Sequence, residues 1–141
     1  MKRRKGREIA LQLLYQKEAA QISINEAIDN YKKYFNVKNP EIFKFGEELA
    51  IGVEKNIDFI DNIIKKYTPS WPLERQNLTD KNILRLAIYE MFFRPDIPEV
   101  VSINEAIELA KLYGTDDSPA FINGVLDSIY KKEIKGKITQ A

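Results

Sequence analysis

Apolar residues recur along this chain at the spacing of an α-helix and almost nowhere at the spacing of a strand. Ile42, Phe45, Leu49, Val53, Ile57, Ile60 and Ile64 trace one stripe toward Tyr67. A stripe with that period is buried when it forms one face of a helix. No segment of convincing length alternates with period two, and no internal repeat is visible. The expected fold is all-α, with about seven helices.

Local signals divide the pattern. Ile9, Ala10, Leu13 and Leu14 predict a first helix from about Arg4 to Ala20. Ser23-Ile24-Asn25-Glu26 is a capping box that starts a second helix, lasting to about Phe35. Asn39-Pro40 combines an N-cap with proline at the first helical position, and Gly52 or Asn56 is the expected break in the long stripe that follows. Thr68-Pro69-Ser70-Trp71-Pro72 is the clearest breaker cluster. It separates an N-terminal half, about 1–68, from a C-terminal half, about 79–132, with a basic tail over 133–141. Trp71 is expected to plug the space between the halves, with base stacking as the alternative.

In the C-terminal half, Thr79 is the expected N-cap, and Ile83, Leu84, Ala87, Ile88 and Met91 the buried face behind it. Pro95 and Pro98 bound a loop. A second capping box, Ser102-Ile103-Asn104-Glu105, is expected to start a helix that Gly114 stops. Asp117 or Ser118 should cap the last helix at Pro119, with Phe121, Val125 and Ile129 buried. Gly124, in mid-helix, costs about 1 kcal/mol against alanine, so close packing on another helix, or on a ligand, is expected to offset it.

At 141 residues, with 44 % hydrophobic and 30 % charged residues, the chain is expected to fold as one globular domain. No apolar run approaches the roughly 20 residues that span a bilayer. Without cysteine there is no disulfide framework, which suits the cytoplasm. Catalysis lacks its usual groups: no histidine for a general base, and no cysteine for a thiolate or a Cys/His zinc site. Gly46 and Gly52 lack the spacing of a phosphate cradle. Glu47 and Glu48 diverge by about 100° on a helix, and Asp116-Asp117 suits a helix start. No catalytic residue, cofactor or metal is expected.

Charge is more informative. Residues 1–10 hold Lys2, Arg3, Arg4, Lys5 and Arg7 against Glu8, a local charge of +4, while the whole chain carries +1. Residues 131–141 add +3, leaving −6 for the middle. Arg3, Arg4, Lys5 and Arg7, at a helix entrance, are expected to be exposed and to contact phosphates. Tyr15 shares a helical face with Arg4 and Glu8, where it can stack on an unpaired base or serve as a core or rim residue.

Several blocks in order resemble one family. Arg3-Arg4 with Arg7-Glu8, then Ala10-Leu11-Gln12 and Leu14-Tyr15, is similar to the start of NusB proteins, as is Ile83-Leu84-Arg85-Leu86-Ala87-Ile88-Tyr89-Glu90. The longest block runs from Ile103 to Lys111 (INEAIELAK), followed by Asp117-Ser118 and by Phe121 to Asp127 (FINGVLD). The basic block here is short, with Gly6 interrupting it and Lys5 where arginine is frequent.

The resemblance implies two three-helix-bundle-like halves packed as one domain, and a bacterial antitermination factor. Such proteins bind the single-stranded boxA segment of ribosomal RNA leaders jointly with the NusE ribosomal protein. The RNA polymerase antitermination complex then reads through terminators, and rRNA maturation is assisted. The resemblance also implies RNA contacts from Lys111, Asp117, Phe121 and Asn123. It directs partner binding to the helix from Asp80 to Arg94, through Asp80, Tyr89 and Glu90. Some members form homodimers, a state it leaves open for this chain. The alternatives are a non-catalytic protein-interaction module with a basic arm and, more remotely, a small hydrolase using carboxylates alone.

Overall fold

The computed structural model describes residues 2–135, and residues 136–141 of the expected basic tail lie outside the described residues. Among the described residues there are seven α-helices and no strand: α1 (Lys2–Ala20), α2 (Ile24–Tyr34), α3 (Pro40–Lys55), α4 (Ile57–Tyr67), α5 (Leu78–Phe93), α6 (Glu99–Tyr113) and α7 (Ser118–Ile129). A 3₁₀ turn, Leu73–Arg75, precedes α5, and a π-type turn, Tyr130–Lys135, follows α7.

Most helix starts follow their local chemistry. Ser23 Oγ accepts from the Glu26 amide at 3.0 Å, and Asn39 Oδ1 accepts from the Glu41 and Ile42 amides. The long stripe breaks at Asn56, whose Nδ2 donates to the Gly52 carbonyl at 2.8 Å. Two expected starts are corrected. Asn77, not Thr79, caps α5, its Oδ1 accepting from the Asp80 amide at 2.8 Å. Helix α6 begins at Glu99 after Pro98, which places Ser102 and Glu105 inside it. Their side chains serve other helices instead of the helix end. Neither Asp117 nor Ser118 caps α7 by a side-chain bond; Ser118 Oγ instead accepts from the Thr115 amide at 2.9 Å. Gly114 does end α6, and a Cβ there would lie 2.5 Å from Ser118.

The core surrounds α5, which is buried on nearly every side. Ile83, Leu84, Ala87, Ile88 and Met91 are buried as expected, and so are Lys81, Asn82 and Glu90. Buried charge is tolerated when paired. Lys81 binds Glu18 of α1; Arg85 forks onto Asp61 of α4 at 2.8 and 2.9 Å and reaches Glu18 at 2.8 Å. These pairs fix the rotation of α5 against its neighbours. Helix α1 crosses α3 at a pair of glycines: a Cβ on Gly46 would lie 2.6 Å from the Gly6 carbonyl oxygen. Gly6, which looks like a gap in the basic arm, is where the two backbones meet.

Two packing expectations fail. Trp71 is 53 % exposed and does not plug the halves. Gly124 is exposed and a Cβ there would meet nothing within 4 Å, so internal packing does not account for it. Val125 and Ile129 are buried as expected; Phe121 is only half-buried. Gly124→Ala is therefore expected to stabilise the isolated protein by about 0.5–1 kcal/mol. A urea midpoint at or below that of the parent would contradict this.

Candidate nucleic-acid interface

Helix α1 divides its cations between two faces, because a helix that crosses two others must turn one side inward. Arg7 is 3 % exposed, so the expectation of an exposed arm is corrected at this residue. Its Nε and one Nη donate to Glu90 of α5 at 2.8 and 2.9 Å, and its other Nη lies 3.5 Å from Glu105 of α6. Ser102 Oγ completes the cluster by donating to Glu90 at 2.8 Å. Arg4 is half-buried and forks onto Glu105 at 2.7 and 3.1 Å; its hydrogen bond holds the Glu105 carboxyl below the usual range.

Arg3 and Lys5 remain outward. Arg3 stacks over Phe45 at 4.8 Å and touches Asp96 at 3.3 Å, an exposed contact that leaves its fork open to competition from phosphate. Lys5 makes a loose 3.8 Å pair with Glu8. With exposed Lys2, they form a short cationic edge at the entrance of α1.

That edge adjoins an aromatic recess between α1 and the end of α6. The recess, of about 500 Å³, is walled by Tyr15, Tyr31, Phe35, Tyr113, Glu8 and Thr79. Tyr15 is exposed, as a stacking role requires. Tyr113 donates its hydroxyl to Glu8 at 2.7 Å, and this bond, with burial, pushes the phenol up to about 12. The bond to Glu8 orients the ring. Tyr113 was missed by sequence reasoning; the available signal was an aromatic at the last position of α6, immediately before the Gly114 stop. Lys111, exposed on the same helix, carries a 3.3 Å pair with Glu108.

A second recess, of about 280 Å³, opens at the start of α5. Trp71, Asn77, Asp80, Thr115, Asp117 and Phe121 line it. The structure thus joins Asp117 and Phe121, expected at RNA, with Asp80, expected at the protein partner. Asn123 is exposed on α7 outside this lining. The other two partner candidates lie elsewhere: Glu90 is 1 % exposed, which corrects its expected surface position, and Tyr89 is half-buried against Gly52 and stacked on Phe93. Glu90 went inward because α5 is enclosed on the side the apolar pattern left polar.

Such a surface offers cations for phosphates and accessible rings for bases, and duplexes hide the base faces that rings would stack on. Among the described residues, no group of three or more acidic, histidine or cysteine side chains is placed to hold a metal. No described helix is long and apolar enough to cross a membrane.

Comparison with known proteins gives a consistent likeness. Residues 4–131 match the model of the NusB family. A "Transcription antitermination protein NusB" of Desulforudis audaxviator is 46 % identical over 132 residues, 94 % of this chain and 95 % of the relative. A solved structure of T. maritima NusB superposes with a TM-score of 0.84 at 33 % identity, covering 99 % of this chain and 97 % of the other. A structure of the antitermination factors NusB and NusE in complex with double-stranded RNA gives a TM-score of 0.83 at 26 % identity, covering 92 % and 96 %.

Proposed function

This chain belongs to the NusB family, and from that premise we propose that it is a bacterial transcription antitermination factor acting in the cytoplasm. It binds a boxA-type single-stranded segment of ribosomal RNA leader together with the NusE ribosomal protein, for read-through by RNA polymerase and for rRNA maturation. The observation that carries this reading is the likeness along nearly the whole chain to relatives of that name, with a solved neighbour that holds NusB, NusE and double-stranded RNA; the preference for a single strand is argued from the exposed rings. The role is one of binding rather than catalysis.

The surface chemistry supports it. Lys2, Arg3 and Lys5 would neutralise phosphates and set the strand's register, while Tyr15 and Tyr113 offer rings to unpaired bases beyond. Arg4 would contribute less, and Arg7 acts by holding α1 in place.

The test is RNA binding across a salt series. A 12-nucleotide boxA-type strand should bind with a negative salt slope, and a duplex of the same sequence should bind less well. Arg3→Ala with Lys5→Ala is expected to lower the slope magnitude by about 0.7 for each phosphate no longer neutralised, with melting temperature unchanged. A protein-interaction module whose arm only adds solubility would show no salt-dependent RNA binding at all.

A further inference from the structure

We propose that the ends of α4 and α7 form a separate lysine patch that holds the phosphates of the RNA strand flanking the boxA-type segment, whatever its bases. The inference rests on the RNA-binding reading. It adds a surface that shares no residue with the cationic edge of α1 or with the lining of either recess.

The patch exists only in the folded chain. Lys65 and Lys66 occupy the last turn of α4, and Lys131, Lys132 and Lys135 lie in the turn that follows α7. Lys66 Nζ donates to Glu133 Oε2 at 2.7 Å, and the Tyr67 hydroxyl donates to the same oxygen, which pins together segments 67 and 66 positions apart. Lys66 and Lys132 both lie over the Tyr67 ring, their Nζ atoms 5.5 and 6.0 Å from its centroid. The two groups of lysines are therefore held side by side.

All five lysines are exposed. The carboxylates paired with them are Glu133 and Asp127, the latter 3.0 Å from Lys131. Among the described residues Lys65 and Lys132 form no ion pair. Five lysines against two carboxylates leave the patch strongly positive in a chain whose total is only +1. A helix C-terminus favours cations near it, which accounts for either group alone. It gives no reason to hold two such groups together, where their charges repel. A polyanion laid across them would remove that repulsion.

The residue types say which polyanion contact this is. The patch has lysines and no arginine fork to read a base edge. Its one ring, Tyr67, is half-buried and its hydroxyl is engaged by Glu133. Point charges of this kind hold phosphates and carry no sequence information. Lysine is also depleted in the interfaces between proteins, which favours a nucleic-acid backbone over an acidic protein surface. Reach is not an obstacle, since a stacked strand advances about 3.4 Å per phosphate. Twenty-four flanking nucleotides can pass halfway round a domain whose radius of gyration is about 14 Å.

The test follows the anisotropy of labelled RNA across a salt series. A 12-nucleotide boxA-type strand is compared with the same strand extended by 24 uridines or 24 cytidines on its 5′ or its 3′ side. Extension on at least one side should tighten binding about tenfold at low salt, and steepen the slope by about 0.7 for each of about two to four further phosphates. Uridine and cytidine flanks should give the same gain. Lys65→Gln with Lys132→Gln removes two charges that hold no ion pair, so the fold should be unaffected. This variant should lose most of the gain and keep the affinity for the 12-nucleotide strand, which serves as its folding control. Lys65→Arg with Lys132→Arg should retain the gain. No gain from either flank, a gain that depends on the flanking base, or one that survives the glutamine variant would overturn the proposal and leave RNA binding intact. So would an equal loss on the short and extended strands. Failure of every RNA to bind would sink the RNA reading itself. Weaker binding of the glutamine variant to RNA polymerase, with the flank gain unchanged, would assign the lysines to an acidic protein surface and overturn the proposal.

Discussion

Arg7→Ala is expected to lose about 3–5 kcal/mol of folding stability, although the residue belongs to the basic arm. Removing the guanidinium leaves the Glu90 carboxylate, 1 % exposed, with the Ser102 hydroxyl at 2.8 Å as its remaining partner in the cluster. A buried charge without its counterion bears its full desolvation cost, whereas an exposed pair is worth at most about 1 kcal/mol. The melting temperature should fall by roughly ten degrees or more. A joint Arg7→Met, Glu90→Leu variant should recover most of the loss, because an apolar pair of similar volume needs no solvation. Circular dichroism melts of the three proteins test this. A loss below about 1 kcal/mol for Arg7→Ala would mean that water reaches Glu90 and that the cluster is not closed. Any RNA-binding defect of Arg7→Ala should shrink at temperatures where the variant is fully folded, unlike that of Arg3→Ala.

The second large effect is expected at Gly46. A Cβ there would sit 2.6 Å from the Gly6 carbonyl oxygen and 3.1 Å from Ile9 Cβ and Cγ2. The nearest obstacle is backbone, which has no rotamer to change, so α1 as a whole must move from α3. Gly46→Val should cost roughly 2–3 kcal/mol by overpacking. Gly6→Ala meets the Phe45 ring at 2.5 Å, a side chain that can swing aside, so its cost should be smaller. Urea denaturation of both variants checks the order. Were Gly6→Ala the more damaging, the ring rather than the backbone would be the rigid element of this crossing. Because the shift carries α1, Gly46→Val should also weaken RNA binding by moving Arg3, Lys5 and Tyr15 relative to α6.

Three glycines in helices thus have three different grounds: Gly46 for a backbone crossing, Gly52 for the Tyr89 ring that a Cβ would overlap, and Gly124 for nothing inside the chain. Their neighbours in sequence do not distinguish them. The same holds for the two Ser-x-x-Glu boxes. At Ser23 the box caps a helix; at Ser102 the identical spacing lies within one, since Pro98 begins the helix a turn earlier and Glu90 and Arg4 engage the two side chains. A capping signal is local, and it yields when a buried partner offers a better bond.

What the sequence by itself determined was the kind of element and the chemistry on it. Periodicity set the helices and breaks, Ser23, Asn39 and Gly114 marked real ends, and the order of blocks from Arg3 to Asp127 carried the family. It also marked the basic entrance of α1 and the Asp117–Phe121 corner. Which of those groups face outward was decided by tertiary structure. Arg3 and Arg7 are the same residue type one turn apart, yet one lies over Phe45 at the surface and the other is locked on Glu90. Asp80, assigned by sequence to a different surface from Phe121, shares a recess with it, while Trp71, read as core, stands open beside both. A helix has one period and no preferred rotation about its own axis. The neighbours it packs against choose that rotation, and with it which charges are buried and which remain to meet a ligand.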